Sequence, residues 1–464
     1  MPSCSASSLC DAGSGTWSMR RPRLWMGDAS VALAKLASGS TLGVELDRLR
    51  GRAALVWTAD QLIAALALIE IDGIVSRLVL CPPDLDPVHL PYVIATAGVD
   101  AVITDRESRE LGGLEVSEVV PCTGAIRDTK VDRTPQCNTE WILFTSGTTG
   151  RPKMVVHTLA TLTGAIESTG DLSGPRVWAT FYDVRRFGGL QILLRAVLGA
   201  GALVLSTPGE PASTFLARAK SHGVTHVTGT PSHWRRALMT EEGRALAPTY
   251  ARLSGEIADQ AVIDQLRSTF PDASIGHAFA STEAGVAFEV TDGRAGFPLS
   301  YLTHSLNGVD LKIESDTLRA RSGRTALRYL GEQRESLLDA EGYVDTGDVV
   351  EQRGDRLYFI GRRGGIINVG GLKIHPEEVE AVINEHPDVR MSLVTARRNP
   401  ITGSIVSADV VLAADASPLE AERARTEILA RCRNALPAHK VPASVRIVNA
   451  LPVTVSGKLR RTYA

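Results

Sequence analysis

From Ala54 onward the chain alternates between runs of helical period and short apolar runs of strand length. That alternation restricts the fold more than any other feature of the sequence. Gln61 to Ile71 has helical spacing, and Ser76 to Cys81 reads as a strand stopped by Pro82 and Pro83. Pro91 to Ala97 is again helical, and Ala101 to Thr104 is a short strand ending at Asp105. Further on, Gly201 to Ser206 and Val224 to Thr228 read as buried strands with a helix, Thr214 to Ser221, between them. Strands separated by helices pair in parallel, because the helix is the crossover that returns the chain to the same end of the sheet. The expected fold class is therefore α/β: a large multi-layer N-terminal domain with mostly parallel sheets, followed by a small mobile α+β C-terminal domain.

The boundary is expected near Gly361. Leu357 to Ile360 reads as a strand, and GRRGG (Gly361 to Gly365) then packs three glycines into five residues. Glycine absorbs backbone rotation at little steric cost, which suits a hinge. Beyond it come a helix (Pro376 to Asn384), two strands (Met391 to Ala396, Ser407 to Ala413), a helix (Pro418 to Ala435) and a strand (Ser444 to Val448). The expected division is a disordered tail at 1–25, an N-terminal domain at 26–360, a hinge at 361–365 and a C-terminal domain at 366–464.

Composition excludes several classes. The 464 residues are 44% hydrophobic and 22% charged with a formal net charge of −2, so nothing favours a nucleic-acid partner or an anionic membrane surface. The longest apolar stretch, Leu62 to Ile74, is interrupted by Glu70 and Asp72. The first residues are small and polar with their basic residues late, unlike a secretory signal. The six cysteines lack CxxC spacing and read as free thiols of a reducing, cytoplasmic compartment.

Five segments carry chemistry, the glycine-rich junction GRRGG with its Arg362 among them. Thr145 to Lys153 reads TSGTTGRPK, after the apolar run Trp141 to Phe144. Such a loop offers backbone N–H groups and hydroxyls to a polyphosphate, and Lys153 adds a point charge. It lacks the spacing of a P-loop, and by itself a plain surface loop explains it equally well. His277 to Gly285 reads HAFASTEAG; Thr282 can meet a phosphate and Glu283 a Mg²⁺ ion, or Ser281 or Thr282 can simply cap a helix. Gly342 to Asp348 reads GYVDTGD; Asp348 can accept ribose hydroxyls with Arg362 nearby, or the segment is a tight hairpin turn. Pro452 to Arg460 reads PVTVSGKLR; Lys458 can neutralise charge at a reacting phosphorus, or it is an exposed tail lysine.

In this order, TSGTTGRPK, FASTEAG, YVDTGD, GRRGGIINVGGLKIHPEEVE and PVTVSGKLRR resemble the adenylate-forming superfamily of acyl- and aryl-CoA synthetases, peptide-synthetase adenylation domains and firefly-type luciferases. The resemblance runs from about Ala54 to the end. It implies an ATP-dependent acid–thiol ligase: a carboxylate attacks the α-phosphate of ATP, and the small domain then rotates so that a thiol can attack the acyl-adenylate. It implies that Thr145, Ser146, Gly147, Thr148, Thr149, Gly150 and Lys153 hold the β- and γ-phosphates. Phe279, Ala280 and Ser281 face the nucleotide, Thr282 touches the α-phosphate and Glu283 binds Mg²⁺. Asp348 and Arg362 hold the ribose, and Lys458 bridges carboxylate and phosphate. Gly371 and Lys373 match the pantetheine tunnel. The implied cofactors and partners are ATP, Mg²⁺, a carboxylic acid, and CoA or the phosphopantetheine of a holo-carrier protein. Oligomeric state stays open, a homodimer included.

The resemblance also shows departures. Gly364, followed by Gly365, stands where relatives usually keep Asp or Lys; Phe279-Ala280 replaces aromatic-Gly; and the region before Ala54 is short. The acyl pocket is expected around Trp178, Phe181, Tyr182, Asp183, Arg185, Phe187, Gly188, Ser254, Gly255, Gly276 and Ala278. Asp183 either faces the substrate, accepting from an amine or hydroxyl, or is held by Arg185 or Arg186. The aromatic residues form a wall for a small aryl or short acyl acid, or are plain core. The chain ends at Ala464, so a carrier protein is expected to be separate. Alternatives are a ligase loading such a carrier, an amino-acid-activating or amide-forming relative, and a non-catalytic ligand-binding relative.

Overall fold

The computed structural model describes residues 8–9, 22–145, 151–166, 176–331, 336–369, 372–399, 403–413, 416–454 and 457–461. The chain falls into two compact units. Unit 1 comprises Met1–Thr228, Ala280–Ala287 and Arg321–Val344, and unit 2 comprises Gly229–Phe279, Phe288–Ala320 and Asp345–Ala464.

Unit 1 is α/β, as the alternation implies. At the heart of its eight-stranded sheet, Ala53–Val56 pairs in parallel with both Arg77–Leu80 and Ala101–Thr104, and Arg77–Leu80 pairs in parallel with Glu140–Phe144. Antiparallel strands lie at both ends: Met154–His157 beside Glu140–Phe144 with Arg328–Leu330 at the edge beyond it, and Gly39–Leu42 beside Glu118–Asp128. A further parallel set joins Val177–Thr180 to Ala202–Leu205 and to His226–Gly229. The central strands are mostly apolar and buried, as in the AALV of Ala53–Val56 and the ALVL of Ala202–Leu205, because a parallel sheet is covered on both faces. Of the expected tail, residues 1–7 and 10–21 lie outside the described residues, and the rest is held in place. Arg23–Met26 pairs in parallel with Leu203 to Leu205, and Leu9 is buried with its N–H on Asp72 Oδ2. The alternating Leu24 and Met26 supply buried contacts that the polar look of the segment hides.

The helix Gln61–Ile71 starts where the Asp60 carboxylate accepts from the N–H groups of Leu62 and Ile63, satisfying donors that a helix start leaves open. It is buried almost all round. The two carboxylates that interrupt its apolar run are both engaged. Glu70 accepts from Ser40 Oγ at 2.6 Å and from the Thr41 N–H at 2.8 Å, and it pairs with Arg133. Asp72 accepts from Trp141 Nε1 at 2.9 Å.

Unit 2 contains the parallel pair Tyr250–Ser254 and Ser274–Ser281, with helices Pro231–Met239 and Gln260–Thr269. It also holds a five-stranded sheet in the order Phe297–Pro298, Arg356–Arg362, Val344–Arg353, Thr317–Ser322, Val309–Glu314. The C-terminal segment is α+β. Val389–Asn399 pairs antiparallel with Gly403–Leu412, which pairs in parallel with Ser444–Ile447. Helices Pro376–Asn384 and Pro418–Ala435 contribute Val379, Ile383, Ala424, Ile428 and Cys432 to a core shared with those strands. Ser417 and Glu420 cap the second helix reciprocally, with Pro418 at its first position.

Two predictions follow from buried charge. Glu70→Ala would leave Arg133 beside unpaired Ser40 and Thr41 donors, with an expected loss of about 3–5 kcal/mol; chemical denaturation of the purified chain checks it, and a loss below about 1 kcal/mol would contradict the network. The second concerns histidines. Burial holds His157 and His226 down to about 4 and His233 down to about 3, from 6.5. Between those values the unfolded chain binds more protons than the folded one, so stability rises with pH. Glu380, pushed by burial up to about 7 against its Arg461 partner, acts in the opposite sense between 4.5 and 7. Three imidazoles outweigh one carboxyl, so the thermal midpoint should fall as pH is lowered from 6.5 towards 4. A midpoint that stays level or rises would contradict this.

Candidate active site

In unit 1 the TSGTTGRPK segment runs between two antiparallel strands, Glu140–Phe144 and Met154–His157. The Thr145 N–H donates to the Lys153 carbonyl at 3.0 Å, joining its two ends. Lys153 is exposed, with Nζ 5.9 Å from the Tyr329 ring centroid. Ser146, Gly147, Thr148, Thr149 and Gly150 lie outside the described residues.

The FASTEAG segment is a strand ending at Ser281, a turn, and a strand from Gly285. No helix follows, so the helix-cap alternative is replaced by a hairpin in which Ser281 Oγ accepts the Ala284 N–H at 2.9 Å. The turn presents Thr282 and Glu283, both half-buried. Two backbone contacts fix it: His157 Nε2 meets the Thr282 carbonyl at 2.7 Å, and the Ala326 N–H donates to the Glu283 carbonyl at 2.9 Å. Because burial keeps His157 neutral, one of its ring nitrogens carries a proton, and the carbonyl partner places that proton on Nε2. Among the described residues, no hydrogen bond or ion pair engages the Glu283 carboxylate. A half-buried, unengaged carboxylate suits a hard cation such as Mg²⁺. A different cluster, His386, Asp388 and Glu427, does not. His386 Nε2 is on Glu427 at 3.0 Å, its Nδ1 accepts the Asp388 N–H, and Arg423 pairs with both carboxylates.

The expected acyl-pocket residues of unit 1 divide. Arg185 grips Asp183 with two bonds, 2.8 and 2.6 Å, and also reaches the Thr58 carbonyl. Asp183 is therefore held by the buried Arg185, the local ion pair of the two readings. Trp178 and Phe187 are 4% and 8% exposed, which makes them core. Trp178 tilts against His226, and Phe187 lies 5.9 Å from His157. Phe181 packs edge-on to Phe215, and the Tyr182 ring lies over Gly188, 3.5 Å from where a Cβ would sit. In unit 2, Ser254, Gly276 and Ala278 share one face of the parallel pair, by the registers Arg252↔Gly276 and Ser254↔Ala278. Gly276 is filled from above: an added Cβ would lie 2.2 Å from Glu289 Oε1.

Unit 2 also brings the ribose candidates together. Asp348 and Arg362 are cross-strand partners, with Arg362 Nε 3.1 Å from Asp348 Oδ1 and Nη2 on the Thr346 carbonyl at 3.0 Å. GYVDTGD does not form the tight hairpin turn. Val344–Arg353 is a strand, and Gly347 takes a left-handed φ of +69° inside it. Phe279 stacks on Phe359 at 4.8 Å and on Phe288 at 5.6 Å, a flat aromatic platform. Gly364 and Gly365 form a short 3-10 turn after Arg362, and nothing lies within 4 Å of a Cβ at Gly364. Lys373 is exposed on the strand Leu372–Ile374; Gly371 lies outside the described residues.

Lys458 is half-buried, unlike an exposed tail lysine. Its Nζ lies 3.5 Å from a Cβ position on Gly255 (φ +85°). Reading residue by residue missed the groups around it. His233 is 8% exposed. Its Nδ1 accepts the Thr230 N–H at 3.2 Å while Thr230 Oγ1 accepts the His233 N–H at 3.1 Å, a reciprocal cap on the helix Pro231–Met239. Burial together with the Arg236 and Lys458 charges keeps this imidazole neutral, so Nε2 carries the proton. Arg236 donates to the Gly457 carbonyl, and Glu256 accepts the Leu459 N–H. TPSH in the sequence signals a helix start; nothing in it signals the segment more than two hundred positions away that packs there.

Comparisons with known proteins place the chain in a family. Residues 54–321 match the family model described as AMP-binding enzyme, and residues 378–458 match the AMP-binding enzyme C-terminal domain. The chain is 27% identical over 354 residues to acyl-coenzyme A synthetase ACSM4, mitochondrial, of Rattus norvegicus, covering 69% of this chain and 59% of that protein. It is 27% identical over 411 residues to 2-succinylbenzoate–CoA ligase of Geobacillus kaustophilus, covering 83% and 82%. Among solved structures, the anthranilate CoA ligase AuaEII in complex with anthranoyl-AMP superposes with a TM-score of 0.76 at 17% identity, covering 98% of this chain and 96% of that one. The amide bond synthetase McbA of Marinactinospora thermotolerans gives 0.75 at 20% identity, covering 98% of each. With its family match covering more than half its length, on strands and loops that carry the expected side chains, the chain belongs to the AMP-binding enzyme family, whose members form adenylates.

Proposed function

We propose that this chain activates a carboxylic acid with ATP and passes the acyl group to the thiol of CoA. The observation that carries the reading is the placement of Lys458 within unit 2, half-buried against Gly255 in the body that also holds the Asp348–Arg362 pair. In the first half-reaction a carboxylate oxygen bonds to the α-phosphorus of ATP. The bond from that phosphorus to the bridging oxygen breaks, and pyrophosphate leaves with the electron pair. Two anions must approach, and Lys458 offsets their repulsion as charge builds in the transition state. Asp348 and Arg362 hold the ribose, Phe279 gives the adenine a flat apolar face, and Thr282 meets the α-phosphate. Glu283 would hold Mg²⁺, which supplies charge neutralisation on the departing phosphates. In the second half-reaction the sulfur bonds to the acyl carbon, AMP leaves, and the thiol proton goes to solvent.

We take residues 366–464 as the moving body and Gly364–Gly365 as its pivot. The open space at Gly364, where among the described residues nothing lies within 4 Å of an added Cβ, supports this. For the acid, the ion pair that occupies Asp183 removes the anchor an amino acid would need, which favours a small aryl or short acyl acid. The similarity to an anthranilate CoA ligase fits that choice. Similarity to the amide bond synthetase McbA keeps an amine acceptor as the second reading, beside a separate carrier protein.

Two experiments check the proposal. A panel of aryl and short acyl acids scored by ATP–pyrophosphate exchange without CoA should identify at least one activated acid; silence across the panel would favour a non-catalytic nucleotide-binding relative. Lys458→Ala should lower exchange by on the order of 10²–10³-fold while thioester formation from supplied acyl-AMP persists. Equal loss of both half-reactions would rule out the role given to Lys458.

A further inference from the structure

We propose that Glu256 and Arg236 are positioning residues that dock the main chain on either side of Lys458 for adenylate formation and release it afterwards; this rests on the role given to Lys458 above. The segment from Gly457 to Arg461 is held from two directions. On one side Arg461 pairs with Glu380 through two 2.7 Å bonds. Both residues lie in the C-terminal segment and travel together. On the other side the Leu459 N–H donates to Glu256 Oε1 at 3.1 Å, and Arg236 Nη2 donates to the Gly457 carbonyl at 3.0 Å. Glu256 and Arg236 lie outside the matched C-terminal domain, residues 378–458.

One helix organises both contacts. Glu256 Oε2 accepts the Ser232 N–H at 3.0 Å in the first turn of Pro231–Met239, where a helix end favours negative charge, and Arg236 stands further along the same helix. An acceptor and a donor thus address the backbone immediately before and after Lys458, which fixes the origin of its side chain. The seat is shaped for that loop. A Cβ on Gly457, already at a φ of +74°, would overlap the His233 ring, 1.8 Å from Nε2. The surrounding contacts are polar as well: Arg235 donates to the Arg390 carbonyl, and Asn384 donates to Asp259, both at 3.0 Å. Polar groups regain water when such contacts part, so their net strength is small and the docked pose is reversible.

The test uses the full chain and an acid found in the exchange panel. Glu256→Gln and Arg236→Ala should each lower kcat for ATP–pyrophosphate exchange by about 10²-fold, the scale of a small misplacement of a reacting group. KM for ATP and acid should hold, and thioester formation from supplied acyl-AMP should not fall. In the Lys458→Ala background the same substitutions should have no further effect on exchange, because their only route is through that lysine. Gly457→Ala, a change within the loop, should reproduce the signature and stands in should either helix variant fold poorly. Wild-type exchange in all three variants would overturn the proposal. So would a raised KM at unchanged kcat, or an undiminished further loss in the Lys458→Ala background. Undiminished exchange in Lys458→Ala itself would sink the reading beneath it. Failure of CoA as acceptor leaves the exchange measurements decisive.

Discussion

Parallel strands buried on both faces are the constraint on which everything else here depends. They demand continuous apolar side chains along their length, so polar chemistry is pushed to the ends, where the chain leaves the sheet. In unit 1, Glu140–Phe144 ends at the phosphate-loop segment, and Val177–Thr180 ends at Phe181 and Tyr182. In unit 2, Tyr250–Ser254 ends at Gly255 and Glu256; in unit 1, Thr282 and Glu283 follow the end of Ser274–Ser281. Several candidate side chains are thus loop residues next to rigid strands, whereas Asp348 and Arg362 lie on the strands themselves.

The supports are themselves polar and buried, and they act on backbone as often as on side chains. His157 holds the Thr282 carbonyl, Glu70 gathers Ser40 and Thr41, and Glu256 and Arg236 take the main chain beside Lys458. Backbone-directed contacts fix position irrespective of the side chain presented, so they suit residues whose task is to place another group. Burial keeps His157 and His233 neutral, and in each case the partner of one ring nitrogen decides which nitrogen carries the proton.

Much of the fold was legible because local signals agreed. The helices Pro376–Asn384 and Pro418–Ala435 begin at a proline and follow the apolar period, and their limits match the reading from sequence. Strand limits moved both ways: Val389–Asn399 runs past the apolar residues because its pairing with Gly403–Leu412 continues, while Arg77–Leu80 and Ala202–Leu205 are a residue shorter at each end. The last residues of the expected tail misled for a related reason: Arg23–Met26 is made a strand by its neighbour Ala202–Leu205, which lies far away in sequence. At the site, residue types in order singled out Asp348, Arg362, Thr282 and Glu283 as candidates, and the structure sets Asp348 beside Arg362 across two strands and Thr282 and Glu283 in one turn. Residue types did not settle Asp183, whose fate depends on Arg185 and the Thr58 carbonyl, or Trp178 and Phe187, whose burial depends on what packs beside them.

By itself, then, the sequence determined the alternation of elements, the order of the five chemistry-bearing segments and the membership they imply, since these are properties of neighbours along the chain. The tertiary structure alone decided that GYVDTGD runs as strand, that Asp183 is spent on Arg185, and that Glu256 and Arg236 grip the chain around Lys458. Those outcomes turn on contacts between residues that lie as much as two hundred and more positions apart, where packing and the demand that buried polar groups find partners outweigh local preference.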